Sequence, residues 1–426
     1  MSVGIQSRMR RAALYLCYYN ITEPLVQTQV VAYLRELAQH GFEIHLLTFE
    51  KEQLDPSQRD RIRDTLRSAG ITWYALRYHS WPSLPATFFD IVRGAVKALS
   101  VCVKSEIRIV HGRSHVGATV ALIVKRLYGA RMIFDMRGLL AEEYADAGRW
   151  ASTGVKYRVT KATERMLFRN ADAVVMLTQK IKKALVATEP SLERRAGEIE
   201  VIPCCTDANR FERGRAQRAV ERERRGWEGK RVLIYVGKLG PWYPAEAMVR
   251  FLSVAREQNR RWFFQVLTQS DPRPMKRALQ DARVPLEAYA IDSVEPEQTP
   301  VVLGAADAGI SFLSRPYSKQ ACSPTKVAEY LAAGLPVVST PGIGDCDEIL
   351  ASGKLGVLVE TLDEVGYGRA ARALTALLED PDTPSVCQEF ARRELSLEAV
   401  GGPRYARVYS RLLTDAVEAR VVGPWR

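Results

Sequence analysis

Cys322-Ser-Pro-Thr-Lys-Val-Ala-Glu-Tyr-Leu-Ala-Ala-Gly-Leu-Pro-Val-Val-Ser-Thr-Pro341 is the stretch whose reading decides the fold. Its spacing predicts a helix with Ser323 as N-cap and Pro324 as first helical residue. Val327, Tyr330, Leu331 and Gly334 follow at helical intervals, Gly334 ends the helix, and Leu335–Ser339 reads as a buried strand. Thr325, Lys326 and Glu329 fall in the first two turns, where unbonded backbone N–H groups and the helix dipole favour an anion. A phosphate fits there, with Lys326 as counter-charge and Glu329 one turn on, able to grip a diol such as a ribose. For Ser-Pro alone, an ordinary capped helix on a sheet is the plainer reading; the whole run is more particular than that.

Outward from this stretch, 426 residues suggest two domains, each with its own core. A hydrophobic share of 47% and a charged share of 26% are those of a globular chain. No run reaches the roughly 20 apolar residues that span a bilayer. Arg8, Arg10 and Arg11 before Ala12–Cys17 imitate a secretion signal, but Tyr18-Tyr-Asn20 breaks the run, so it reads as a first strand. Seven scattered cysteines with no C-x-x-C pair suggest neither a disulfide frame nor zinc, and point to a reducing cytosol. Of the net charge of +12, roughly +10 lies in residues 1–200. A basic half suits nucleic acid, an anionic membrane or an acidic substrate; no nucleic-acid-binding motif accompanies it.

In chain order, strands are expected at Ala12–Cys17, Glu43–Phe49, Ile71–Leu76, Ile107–His111, Arg131–Asp135 and Ala173–Leu177, the last being the final strand of the first domain. Helices are expected between them, at Val26–His40, Phe88–Val103 and Val116–Leu127. This is a doubly wound parallel sheet, whose ligands bind beyond the carboxyl ends of the strands. The loop after the first strand offers Asn20, Gln27 and Thr28. Gly112–His115 reads as a loop, with His111 and His115 at its edges. Asp135 and Arg137 end a buried strand: an Arg there can stabilise a leaving phosphate with Asp orienting it, or the pair can simply fix the loop. Lys156–Arg169 reads as a basic amphipathic helix that either packs one face or lies on anionic lipid. The Arg- and Glu-rich stretch up to Gly229 reads as linker or solvated helix. A second domain opens with the strand Arg231–Val236 and Gly237-Lys238, and further strands are expected at Phe263–Thr268, Leu286–Ile291 and Ala308–Leu313.

The Ser323–Glu329 motif resembles the donor-binding signature of the retaining glycosyltransferases of family 4, and the resemblance extends through most of the chain. It implies a GT-B fold: an N-terminal Rossmann-like acceptor domain (1–205, plus a C-terminal crossover helix in 401–426) and a C-terminal Rossmann-like nucleotide-sugar domain (206–400), facing a cleft. By resemblance, Ser323, Pro324, Thr325 and Lys326 hold the donor diphosphate, Glu329 the ribose, Gly237 and Lys238 the phosphates, and Val294 lies by the base. Arg137 and Asp135 stand where other members have a His. Pro203, Asp207 and Phe211 keep the crossover pattern, with Cys204-Cys205 in place of Asn-Gly. Two departures matter: Leu25-Val26 replaces the usual glycine-rich turn, and Ala321 replaces the first of two glutamates, the one that touches the hexose. Sugar recognition then falls to neighbours such as Ser318, Lys319, Gln320 or the loop around Gly344. The acceptor is expected at Asn20, Gln27, His111 and Arg113.

The resemblance thus implies transfer from a nucleotide sugar to a saccharide or lipid-linked acceptor in cell-envelope or exopolysaccharide synthesis. No cofactor and no metal are expected, since Lys238 and Lys326 can neutralise the diphosphate. The place is the cytoplasm, with peripheral contact to anionic membrane as an option and no nucleic acid as partner. Two other readings stay open: a nucleotide-sugar epimerase on the same architecture, and a non-catalytic partner in a polysaccharide-assembly complex.

Overall fold

The computed structural model describes residues 10–52 and 54–421. Arg8 and the last residues of the expected C-terminal segment, 422–426, lie outside the described residues. The first sheet has seven strands, β1 (Ala12–Cys17), β2 (Glu43–Glu50), β3 (Ile71–Arg77), β4 (Ile109–Arg113), β5 (Arg131–Asp135), β6 (Ala173–Met176) and β7 (Ile199–Val201), ordered β3-β2-β1-β4-β5-β6-β7. The second has six, β8 (Arg231–Val236), β9 (Trp262–Leu267), β10 (Tyr289–Asp292), β11 (Ala308–Ser311), β12 (Val337–Ser339) and β13 (Gly356–Leu358), ordered β10-β9-β8-β11-β12-β13. Every pairing within both sheets is parallel. Strand order reverses between β1 and β4 in one sheet and between β8 and β11 in the other, and at such switch points the loops part to leave a crevice for ligand.

Helices cover both faces of each sheet, so the strands are apolar on both sides; β1 and β9 are buried at all six positions. The final described helix, Gly402–Val421, returns to the first sheet, where Tyr405, Val408, Tyr409 and Leu412 join a core built on Ala13, Tyr15, Ile44 and Ile109. The quoted stretch forms the helix Thr325–Ala332 and then β12. Tyr330 keys that helix to the switch point. Its hydroxyl accepts from the Val236 N–H at 2.9 Å and donates to the Ile310 carbonyl at 3.3 Å, and its ring lies over Gly309, where a Cβ would come within 2.3 Å of it.

Several expectations are corrected. The first domain does not end at the sixth strand: β7 extends the sheet. It is only three residues long, too short to carry a period. Gly112 and Arg113 belong to β4, and Ser114 already opens the helix Ser114–Tyr128, so no loop separates them and both His111 and His115 are buried. The helix expected from Phe88 begins at Ser83. The helical run from Pro24 to Gln39 carries a π turn over Gln27–Val31. The Arg- and Glu-rich stretch is no linker. It forms helices Ala208–Arg215 and Arg218–Arg225, whose Arg218 and Arg222 pair with Asp307, while Trp227 is fully buried behind them. In the helix Val155–Asn170, Leu167 and Phe168 are buried in the core, whereas Val159, expected on the packed side, is exposed.

Candidate functional site

Lys326 is the centre of the group of residues expected to hold the donor. Pro324, not Ser323, occupies the N-cap position, and no side chain caps this helix end, because proline brings no side-chain oxygen. The Val327 N–H is taken by the Pro324 carbonyl at 3.0 Å, so the amides such an end offers to a ligand are those of Thr325 and Lys326. Lys326 leaves the helix beneath them and is buried, its Nζ 4.2 Å from the centre of the Tyr235 ring and 4.3 Å from that of Tyr243. Among the described residues Nζ has no hydrogen-bond acceptor. Burial pushes its pKa down to about 7, with Glu329 opposing the fall. A buried ammonium with faces of tyrosine around it and no counter-oxygen is prepared for an anion that arrives from outside.

Gly237 stands directly against Lys326: with φ +140°, it is backbone that side chains rarely adopt, and a Cβ there would lie 3.3 Å from Nζ. Lys238, next in sequence, is exposed, and its carbonyl is fixed by the Tyr235 hydroxyl at 2.6 Å. The two lysines thus flank one strand end. Glu329 is half-buried on the same helix; burial raises its carboxyl, with Lys326 and Arg210 pulling the other way. Thr325 opens the helix, half-buried, and Val294 is half-buried against the second domain's core.

Ser323 does something other than cap: its Oγ accepts from the Cys204 N–H at 3.0 Å, joining the donor helix to the crossover. It is one of several bonds across the cleft. Thr178 Oγ1 donates to the Gln320 carbonyl at 2.7 Å, and the Ser318 N–H donates to Asp146 at 3.2 Å. Asp345 accepts from the amides of Gln179 and Lys180 at 2.7 and 3.0 Å, the first turn of the helix Gln179–Thr188. Gly344 sits in this junction, where a Cβ would come 2.0 Å from the Cys322 carbonyl oxygen, so its role there is close packing. Ala321 is buried within the first domain's core cluster. Lys319 is buried as well, its Nζ 4.2 Å from the Trp242 ring centre and 3.4 Å from Glu143.

On the acceptor side, register sets Arg113 opposite Asp135 at the carboxyl ends of β4 and β5. Asp135 is fully buried, 3.4 Å from His111 Nε2, 3.8 Å from Arg113 Nη1 and 3.5 Å from Arg137 Nη1, and it accepts from the Tyr15 hydroxyl at 3.4 Å. Burial alone would raise its carboxyl, but Arg137, His111 and Arg113 together hold it well below the usual carboxylate range. Burial lowers His111, whose Nδ1 lies 2.8 Å from the Tyr409 hydroxyl of the returning helix. Arg137 reaches toward the crossover, donating to Gln29 Oε1 and Cys204 Sγ, both at 3.4 Å. Cys204 therefore links Arg137 to Ser323. Asn20 and Gln27 turn into their own loop, accepting from the Thr22 N–H and donating to the Ile21 carbonyl.

The structure thus brings Lys326, Gly237 and Glu329 together, and separately gathers Asp135, Arg113, Arg137 and His111. Sequence reasoning missed Tyr235, Tyr243 and Trp242 around the lysines and Gln29 beside Arg137, while Asp345, expected with the Gly342–Asp345 loop beside the sugar, instead bonds the first domain. Pro241-Trp-Tyr-Pro244 carried a signal: two aromatic residues fixed between prolines, just after the Gly237-Lys238 strand end.

Two doubly wound parallel sheets, joined by bonds from the segments after β5, β6 and β7 to the segment that carries the Lys326 helix, make a GT-B fold. Residues 26–205 match the family described as Glycosyl transferase 4-like domain, and residues 217–394 that described as Glycosyl transferases group 1. The chain belongs to the glycosyltransferases of the family 4 type, and its chemistry is glycosyl transfer from a nucleotide sugar. No curated protein matches it in sequence. Solved structures with this fold include sucrose-phosphate synthase from Thermosynechococcus elongatus (15% identity, TM-score 0.72, covering 95% of this chain and 100% of that one). A glycosyltransferase from Rickettsia africae is also similar (14%, 0.69, 95% and 99%). So is HepE from Anabaena, solved in complex with UDP (13%, 0.67, 96% and 100%).

Proposed function

We propose that the chain moves a sugar from a nucleoside-diphosphate sugar to a hydroxyl of a saccharide or lipid-linked acceptor, with retained anomeric configuration and without a metal ion, in building a cell-envelope polysaccharide. The observation that carries the donor half is Lys326, buried without an acceptor beneath an uncapped helix end. As the bond from the anomeric carbon to the diphosphate oxygen breaks, negative charge gathers on that oxygen. Lys326, Lys238 and the amides of Thr325 and Lys326 stabilise it, while the acceptor oxygen bonds the anomeric carbon and passes its proton to a phosphate oxygen of the departing nucleoside diphosphate. Glu329 holds the ribose. The HepE structures with UDP and UDP-glucose support a uridine donor. Retention rests on the resemblance of the Ser323–Glu329 motif.

In this reading residues 1–205 with 401–426 hold the acceptor and 206–400 the donor. Arg137, whose guanidinium reaches Cys204 at the crossover, completes the neutralisation from the acceptor side, with Asp135 as its positioning partner. All seven cysteines are free, which suits the cytosol, with peripheral contact at the inner membrane face. A thermal-shift panel of nucleoside diphosphates and nucleotide sugars tests the donor half, because a ligand that binds only the folded form raises the melting temperature. Lys326→Ala and Glu329→Ala are expected to abolish both the shift and sugar transfer. Unchanged binding in both variants would overturn the assignment, and interconversion of the sugar without acceptor would make the protein an epimerase.

A further inference from the structure

The helix Ser83–Ser105 leaves an apolar face without a partner. Its buried side, Ala95, Ala98, Val101 and Cys102, packs into the first domain's core. On the opposite side Leu84, Phe88, Val92 and Val96 recur every fourth residue at 56%, 67%, 44% and 65% exposure, and Val103 continues the line at 65%. Trp81, at 85% exposure, stands just before the helix begins. At 1.5 Å per residue the 23-residue helix is about 34 Å long, so this is a continuous strip, not a scatter of single side chains.

The charges beside the strip choose its occupant. Arg93, Lys97 and Lys104 flank it: the half-buried Arg93 lies over the Phe89 ring and donates to the Arg77 carbonyl at 3.3 Å, the half-buried Lys97 lies over the Tyr74 ring, and Lys104 is exposed, so positive charge borders the strip along one side. The helix's one acidic residue, Asp90, is fully buried and accepts from the Tyr18 hydroxyl at 2.7 Å and the His79 N–H at 2.9 Å. Within Ser83–Ser105 the outer face therefore combines apolar and positive groups, and the nearest acidic side chain on this helix is the exposed Glu106 that caps its far end. No described helix is long and apolar enough to cross a membrane. We infer that this helix lies in the plane of an anionic lipid surface, its aliphatic and aromatic side chains among the acyl chains and its three cations among the headgroups.

The Asp90–Tyr18 bond adds a functional consequence. Tyr18 lies in the loop that leaves β1 toward the cleft, so docking through Ser83–Ser105 sets the acceptor entrance beside the bilayer. That consequence deepens the transfer reading and rests on it: the acceptor is one that resides in the membrane. The docking itself is measured without donor or acceptor, so its failure would leave the transfer reading intact.

The test is flotation of the full chain with vesicles of phosphatidylcholine alone and with phosphatidylglycerol added, at low and high salt. Binding is expected to the anionic vesicles only, weakening with salt. A Phe88→Ser/Val96→Ser double variant and, separately, an Arg93→Gln/Lys97→Gln variant are each expected to reduce the partition coefficient about tenfold or more. Phe88 and Val96 are exposed, so that variant is expected to keep the wild-type melting temperature, and both variants lie away from the donor helix and are expected to keep nucleoside-diphosphate binding. Equal binding of wild type and both variants, or none of the wild type, would overturn the inference. So would a dimer in solution that the Phe88→Ser/Val96→Ser variant dissociates, since the strip would then be covered by a second copy.

Discussion

Replacing Lys326 by Met separates what this side chain costs from what it does. Burial moves its pKa from 10.5 to about 7. At about 1.4 kcal/mol per tenfold change, keeping the group protonated in the fold at low pH costs about 5 kcal/mol. The two tyrosine rings, at 4.2 and 4.3 Å, offset about 1–2 kcal/mol each. Methionine keeps the stem and loses the charge, so Lys326→Met is expected to be more stable than wild type by about 1–3 kcal/mol at pH 6. The sign with pH follows from proton counting. Between pH 7 and 10.5 the unfolded chain holds a proton that the folded one lacks, so wild-type stability rises through that window and the variant's advantage shrinks. Melting curves of both proteins from pH 6 to 9 check this. At the same time the variant is expected to bind nucleoside diphosphate at least about tenfold more weakly. In the wild type at pH 8, binding draws a proton back onto Lys326, seen by calorimetry in buffers of different ionisation enthalpy. A variant less stable than wild type at pH 6, or wild-type binding with no proton uptake, would refute the reasoning.

Asp135→Asn leaves Arg113 and Arg137 buried beside a neutral amide and is expected to lower stability by about 3–5 kcal/mol, read from urea unfolding. Because Asp135 is held below its unfolded value of 3.8, the wild-type advantage is fully present above about pH 4 and fades as pH falls further, so the two melting curves should converge in acid. Extensive treatment with a metal chelator is expected to leave transfer unchanged, since the neutralising charges are lysines; loss of activity restored by a divalent cation would contradict this. Asp345→Ala removes the carboxylate bonded to the Gln179 and Lys180 amides, and is expected to enlarge the radius of gyration in solution scattering while nucleoside-diphosphate binding to the second domain persists.

Much of the fold was legible because parallel strands buried on both faces read as short apolar runs; β1, β5 and β8 fall where Ala12–Cys17, Arg131–Asp135 and Arg231–Val236 placed them. What escaped were elements whose determinants lie elsewhere in the chain. β7 is three residues held by β6, and the helix Arg218–Arg225, readable only as linker or solvated helix, has few apolar residues of its own and is anchored by Arg218 and Arg222 on Asp307, about 85 residues on. The same holds at the site. Lys326 and Glu329 were readable as a local pattern on one helix turn. The rings around Lys326 come from β8 and from the Pro241–Pro244 segment, and the partners of Asp135 come from β1, β4 and the loop after β5, with Tyr409 of the last helix bonded to His111 in turn. The Ser-Pro start misled as to the cap because the Ser323 hydroxyl found a donor in another domain, a competition that no local rule contains.

The junction of Ser323, Gln320, Ser318 and Asp345 with the first domain has a bearing on turnover. Each of these contacts comes from the segment bordering the donor position, so the two halves of the reaction chamber are fastened along the route by which a nucleotide would come and go. For a nucleotide leaving by that route several of these bonds would have to open together. Cutting one of them, as in Asp345→Ala, is then expected to quicken product release, read as a faster turnover at saturating substrate.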